Sequence, residues 1–111
     1  MLDLNTAGEY WISAEPTDMR KGRDSLASIV RQKFGKDPRV GSRAFIFYGK
    51  SLRTIKILHY SPSGFEMYVK WIDNGKCLRP VFGKISSTHT ITRSQLLLLI
   101  TGSVKTSIKI N

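Results

Sequence analysis

The sequence predicts an α+β domain: an antiparallel sheet of four to five strands, with a helix from its N-terminal half packed on one face and a short C-terminal helix. Three observations lead there. Residues 44–72 hold three runs, AFIFY, TIKILHY and FEMYVKWI, rich in β-branched and aromatic residues and parted by the turn segments GKSLR and SPSG. Residues 18–34 place Met19, Leu26, Ile29, Val30 and Phe34 at the spacing of one helical face. An unbroken run from Leu96 to Leu99 follows Thr92 and Ser94, either of which can cap a helix through Ile100, with Gly102 after its end.

In chain order, Tyr10, Trp11 and Ile12 form a β-prone run that Pro16 ends, and the pair Thr17 and Asp18 offers a helix start. The helix is expected from about Asp18 to Phe34, with a break or 3₁₀ turn near Gly22 and a stop at Gly35. Lys36 to Arg43 is loop by composition, and the three runs after it form an antiparallel meander. In the third, Phe65, Met67, Val69 and Trp71 face one way and Glu66, Tyr68 and Lys70 the other, which predicts one buried and one wet sheet face. Trp71, Phe65 and Met67 are accordingly assigned to the core. The C-terminal helix is placed beside the first. DNGK gives another turn, Cys77 to Phe82 a short strand interrupted by Pro80, and SVKTSIKIN alternates like a strand at the chain end. The whole, residues 1–111, reads as one domain with 1–9 and 103–111 as its flexible ends.

Charge sets the function class. Lys and Arg number 18 against 8 Asp and Glu, a formal net charge of +10. The first eighteen residues hold Asp3, Glu9, Glu15 and Asp18 and no Lys or Arg, so the remainder carries all the cations against four acids. Such a balance favours polyanionic partners. One cysteine, Cys77, excludes an internal disulfide, and with the distant His59 and His89 it cannot assemble a thiolate-rich zinc site. No metal or other cofactor is expected. The N-terminus lacks the pattern of a signal peptide and the longest apolar run is far short of a membrane span, which predicts a cytoplasmic protein with no membrane partner.

Catalysis finds no constellation. Strand-transfer or nuclease chemistry needs carboxylates converging on divalent metal ions, and Asp24, Asp37, Glu66 and Asp73 fall in a helix, a loop, a sheet and a turn. His59 on an apolar strand reads as a packed or edge histidine, and Cys77 as an inert semi-buried thiol. The glycines are isolated at separate turns, which gives no phosphate-cradling loop.

Two cationic clusters stand out. Arg20 and Lys21 near a helix start would oppose the helix dipole, a cost that a phosphate or acidic partner would offset; local pairing with Asp18 and Asp24 is the alternative. Lys50 and Arg53 lie in the hairpin turn, and Lys56 and Lys70 on neighbouring strands can share a solvent face with Tyr68 and Tyr60. Basic groups interleaved with aromatics suit backbone contacts and stacking on unpaired bases, whereas lysines on a wet face also protect sheet edges.

The order of EPTDMRKGRDSLASIV, AFIFYGKSLRTIKILHYSPSGFEMYVKWIDNGKCLRP and ITRSQLLLLITG resembles the short Orf2-type, or TnpB-type, accessory proteins of the insertion-sequence family sixty-six. The resemblance runs from about Tyr10 to Gly102; its most specific pieces are DMRKG at 18–22, IKIL at 55–58 and Gly64 with Phe65. It implies a protein encoded beside a separate, larger transposase that carries the acidic cut-and-join residues, and accessory to transposition. The chain departs from the family pattern where Arg79 and Pro80 stand in place of a Trp-Pro pair.

The expected function is therefore non-catalytic. Arg20, Lys21, Lys50, Arg53, Lys56, Lys70, Lys76 and Arg79 are the candidate contacts to DNA phosphates, without base readout. The rival expectation is an adaptor that docks on the transposase without touching DNA.

Overall fold

The computed structural model describes residues 7–101 and 106–111. The expected helix stop at Gly102, and residues 1–6 and 103–105 of the ends expected to be flexible, lie outside the described residues. The α+β class holds. A five-stranded sheet in the order β4-β3-β2-β1-β6 is built from β1 (Glu9–Ser13), β2 (Arg43–Tyr48), β3 (Thr54–Ser61), β4 (Gly64–Trp71) and β6 (Thr88–Ile91). A second sheet pairs β5 (Arg79–Phe82) with β7 (Ser107–Ile110) in parallel.

The three aromatic and β-branched runs form the expected meander, β2 to β3 to β4, each pair antiparallel. The sheet is nonetheless mixed, because β1 pairs with β2 in parallel and with β6 antiparallel. The cause is the segment between β1 and β2. It contains the helix, and a helix laid across a sheet face returns the chain in the direction in which it left.

That helix begins later than Asp18. α1 spans Arg23–Ile29 and continues as a π-helical turn over Val30–Phe34, with Gly22 as N-cap and Gly35 at φ 64° closing the C-terminus. The Asp18 carboxylate accepts the backbone N–H of Arg20 at 2.9 Å and the Asp18 carbonyl accepts that of Lys21 at 3.2 Å. This local turn competes with the helix for the same backbone groups, as Asp side chains commonly do. Gly22 is thus the boundary of the helix rather than a flaw inside it.

Both faces of the sheet are covered, which corrects the expectation of one wet face. Leu26, Ala27, Val30 and Phe34 from the helix pack with Phe45, Phe47 and Leu58, joined by Phe65 and Met67. On the other face Tyr10, Ile12, Ala44, Ile46, Ile55 and Ile57 pack with Leu96 and Leu99 of α2 (Arg93–Thr101), with Leu78 and Ile110 beside the small sheet, and with Tyr68. The C-terminal helix therefore lies on the face opposite the first helix, not beside it. Thr92 caps it by a reciprocal pair: its Oγ1 accepts the Gln95 N–H at 3.1 Å and Gln95 Oε1 accepts the Thr92 N–H at 2.9 Å. Gln95 Nε2 also donates to the Lys109 carbonyl at 3.2 Å, fixing α2 to β7.

The buried Tyr48 hydroxyl donates to the Ala14 carbonyl at 3.0 Å, tying the segment after β1 to the end of β2. Burial, with lesser contributions from Cys77 and Glu15, pushes its pKa up to about 12. A phenol whose folded value lies above its unfolded one contributes stability that is whole below about pH 10 and is lost as pH rises through 12. Tyr48→Phe is expected to cost about 1 kcal/mol at pH 8 and to flatten the fall in stability between pH 10 and 12. Urea unfolding of both proteins at pH 8 and pH 11 checks this, and an equal fall in the variant would refute it.

Candidate nucleic-acid interface

The eight candidate cations all belong to one end of the five-stranded sheet, where β2 passes into β3. Three features hold that end together. Gly49 lies so close to Met19 that a Cβ there would meet Met19 Cγ at 2.8 Å, which seats the Asp18 turn against the hairpin. Leu52 takes φ 62°, a left-handed conformation that costs a leucine about 1 kcal/mol and is offset by burying its side chain in the core. The carbonyls of Leu52 and Arg53 accept the N–H groups of Cys77 and Ile72, both at 2.8 Å, which brings residues 72–79 beside the hairpin.

Around this frame the cations divide into two groups. Arg20, Lys21, Lys50 and Lys56 form the first. Lys56 Nζ donates to the Lys21 carbonyl at 2.8 Å, and Lys50 lines a shallow depression with Asp18, Met19 and Thr54. Arg53, Lys70, Lys76 and Arg79 form the second, lining an open groove of about 1030 Å³ with Trp71, Asp73 and the end of α2. Arg53 Nη1 donates to the Gly75 carbonyl at 3.2 Å, and Gly75, at φ 88°, supplies the left-handed turn that brings Lys76 round.

Two expectations about these residues are corrected. Lys56 pairs with Val69 and Lys70 with Ile55, so Lys56 shares the α1 face with Val69 and Trp71, while Lys70 lies on the opposite face with Tyr68. They do not share a solvent face, and Tyr68 packs against the core. Arg20 and Lys21 precede the helix rather than occupy its first turn, so the dipole argument does not apply to them. Arg20 is held instead by Asp18: Nε donates at 3.0 Å and Nη2 at 2.8 Å. Those hydrogen bonds from Arg20 hold the Asp18 carboxyl well below the usual carboxylate range. The expected local pairing thus holds for Arg20 with Asp18, whereas Asp24 pairs with Arg23 at 3.2 Å rather than with Arg20 or Lys21.

Sequence reasoning missed Trp71. Its place in the strand alternation put it in the core, yet it is 71% exposed. It ends the edge strand β4, opposite only Thr54. Trp11, by contrast, packs partly buried on the helix side, with Lys36 Nζ 4.2 Å from its ring centre.

The remaining titratable groups offer little chemistry. His59 is 4% exposed, its Nε2 2.7 Å from the Gly41 carbonyl and its Nδ1 3.6 Å from Glu66. It is a packed histidine, as expected. Burial pushes the Cys77 thiol up, away from the reactive thiolate. Among the described residues no three His, Cys, Asp or Glu side chains are placed to hold a metal ion. No helix of the described residues is long and apolar enough to cross a membrane.

Residues 8–109 match the family model of the IS66 Orf2-like proteins. The chain belongs to the IS66 Orf2-like family. Membership carries an accessory role in the transposition of an insertion sequence, in agreement with the resemblance drawn from the sequence. Among relatives, this IS66 Orf2-like chain is 30% identical over 102 residues to the uncharacterized protein y4hO of Sinorhizobium fredii, covering 92% of this chain and 86% of the relative. It is 26% identical over 98 residues to the uncharacterized protein y4jC of the same organism, covering 88% and 81% respectively. No solved structure matches the chain.

Proposed function

We propose that this protein is a non-catalytic, cytoplasmic accessory factor that binds DNA phosphates without sequence readout, beside the transposase encoded by the same element. The observation that carries this reading is the gathering of eight cations at one end of the sheet. Glu9 and Glu66 lie at the other end; of the acids beside the cations, Asp18 is already engaged by Arg20, while Glu15 and Asp73 are outnumbered. Clustered, exposed cations release counterions on meeting a polyanion, so binding to duplex DNA should weaken steeply with salt and alike for unrelated sequences.

Titration of labelled duplex at several salt concentrations tests the reading. Arg20→Ala with Lys21→Ala, and separately Lys56→Ala with Lys70→Ala, should each make the salt slope shallower by about one to two. Asp18→Asn should raise affinity about two- to threefold, because it releases Arg20 from its internal partner. Absence of binding near physiological salt removes the reading.

An adaptor function has one feature of its own in support. Leu97 and Leu98 of α2 stay 43% and 46% exposed, and apolar anchors of this kind suit a protein partner. Salt-insensitive capture of the transposase, lost in Leu97→Ser with Leu98→Ser, together with no DNA binding, would establish the adaptor instead.

A further inference from the structure

We infer that Trp71 is a stacking platform for an unpaired base, so that the protein prefers single-stranded DNA over duplex; this rests on the phosphate-binding reading above. An indole left 71% exposed at the end of an edge strand contributes little to the fold. Its surroundings are specific. Within its own strand pair it faces Thr54, a small residue that leaves the ring face open, and Lys56 is its diagonal neighbour on the same sheet face. On its other side it lines the groove with Arg53, Lys70, Lys76 and Arg79, against the single acid Asp73.

Trp71 thus borders both cationic groups, through Lys56 on one side and the groove on the other, and a strand whose phosphates run from Lys56 to the groove passes it. In a duplex the base faces are covered by their neighbours and only edges and backbone are presented. In a single strand every base has a free π face, and an aromatic ring beside a line of cations meets both halves of each nucleotide. An acidic peptide would satisfy the cations but would leave the ring without a flat partner. The combination of ring and cations therefore favours unpaired nucleic acid.

The test uses the Trp11→Phe protein, in which Trp71 is the only tryptophan. It is titrated with an oligothymidylate, with duplex of equal length, and with an abasic phosphodeoxyribose chain. The oligothymidylate is expected to quench the Trp71 emission and to bind about tenfold tighter than the abasic chain. In the wild-type background Trp71→Ala should remove that tenfold advantage, bringing the oligothymidylate to the level of the abasic chain, and Trp71→Phe should retain part of it. If all three probes bind alike and Trp71→Ala changes none, stacking is overturned and phosphate binding stands. If none binds, both readings fall together.

Discussion

Phe47→Ala is expected to destabilise the protein by about 3–5 kcal/mol, the range for deleting a fully buried phenyl ring from a core. Phe47 is fully buried on the helix side of the sheet, its ring centre 5.8 Å from that of Phe34 at an interplanar angle of 70°. The ring fixes the π-helical turn to β2, and its loss leaves a cavity that the surrounding strands cannot close without shifting their register. Since domains of this size hold about 5–15 kcal/mol in all, such a loss removes a large part of the total. Urea unfolding followed by circular dichroism measures it. The informative control is Trp71→Ala, expected within about 0.5 kcal/mol of wild type because that ring is exposed. A Phe47→Ala cost under about 1 kcal/mol would mean that the helix does not depend on this face.

The second large effect concerns charge. Replacing Arg53, Lys70, Lys76 and Arg79 together by alanine should make the salt dependence of duplex binding shallower by up to about 3.6 in the log–log slope, and cut affinity at low salt by about a hundredfold or more. The four line one groove, so their phosphate contacts act on the same stretch of backbone. Most of these side chains are exposed, and the substitutions should leave the near-ultraviolet spectrum intact. An unchanged slope would move the binding surface to the group around Lys21 and Lys56, or off DNA altogether.

The meander was legible because three alternating runs separated by Gly- and Pro-bearing turns leave few other arrangements. The Thr92 cap and the Gly35 stop were legible for a similar reason, each resting on the local chemistry of one or two residues. What escaped was set by distant partners. Glu66, Tyr68 and Lys70 looked like a solvent stripe, but tyrosine is amphipathic, and α2 with the small sheet arrives from far along the chain to cover it. The separation of Lys56 from Lys70 follows from pairing register, which a one-residue difference inverts and composition does not reveal. Trp71 obeys its strand's alternation, yet it lies at the last residue of an edge strand, where periodicity continues after the cover has ended. The excess of cations was readable from composition; that Lys56 belongs beside Lys21, and Arg53 and Lys70 beside Lys76 and Arg79, was not.

The pairing of β5 with β7 bears on the order in which the molecule acquires its parts. The helix-side core draws only on residues before β5, whereas the groove wall at Arg79 is set by a parallel partner, Ser107, and by the bond from the Arg79 N–H to the Thr106 carbonyl at 3.0 Å. During synthesis from the N-terminus the Arg20 group can thus be presented before the groove exists. Contacts between residues so far apart in sequence also close slowly. A nascent chain would hold only half of its cationic surface, and full grip on a polyanion would wait for its last strand.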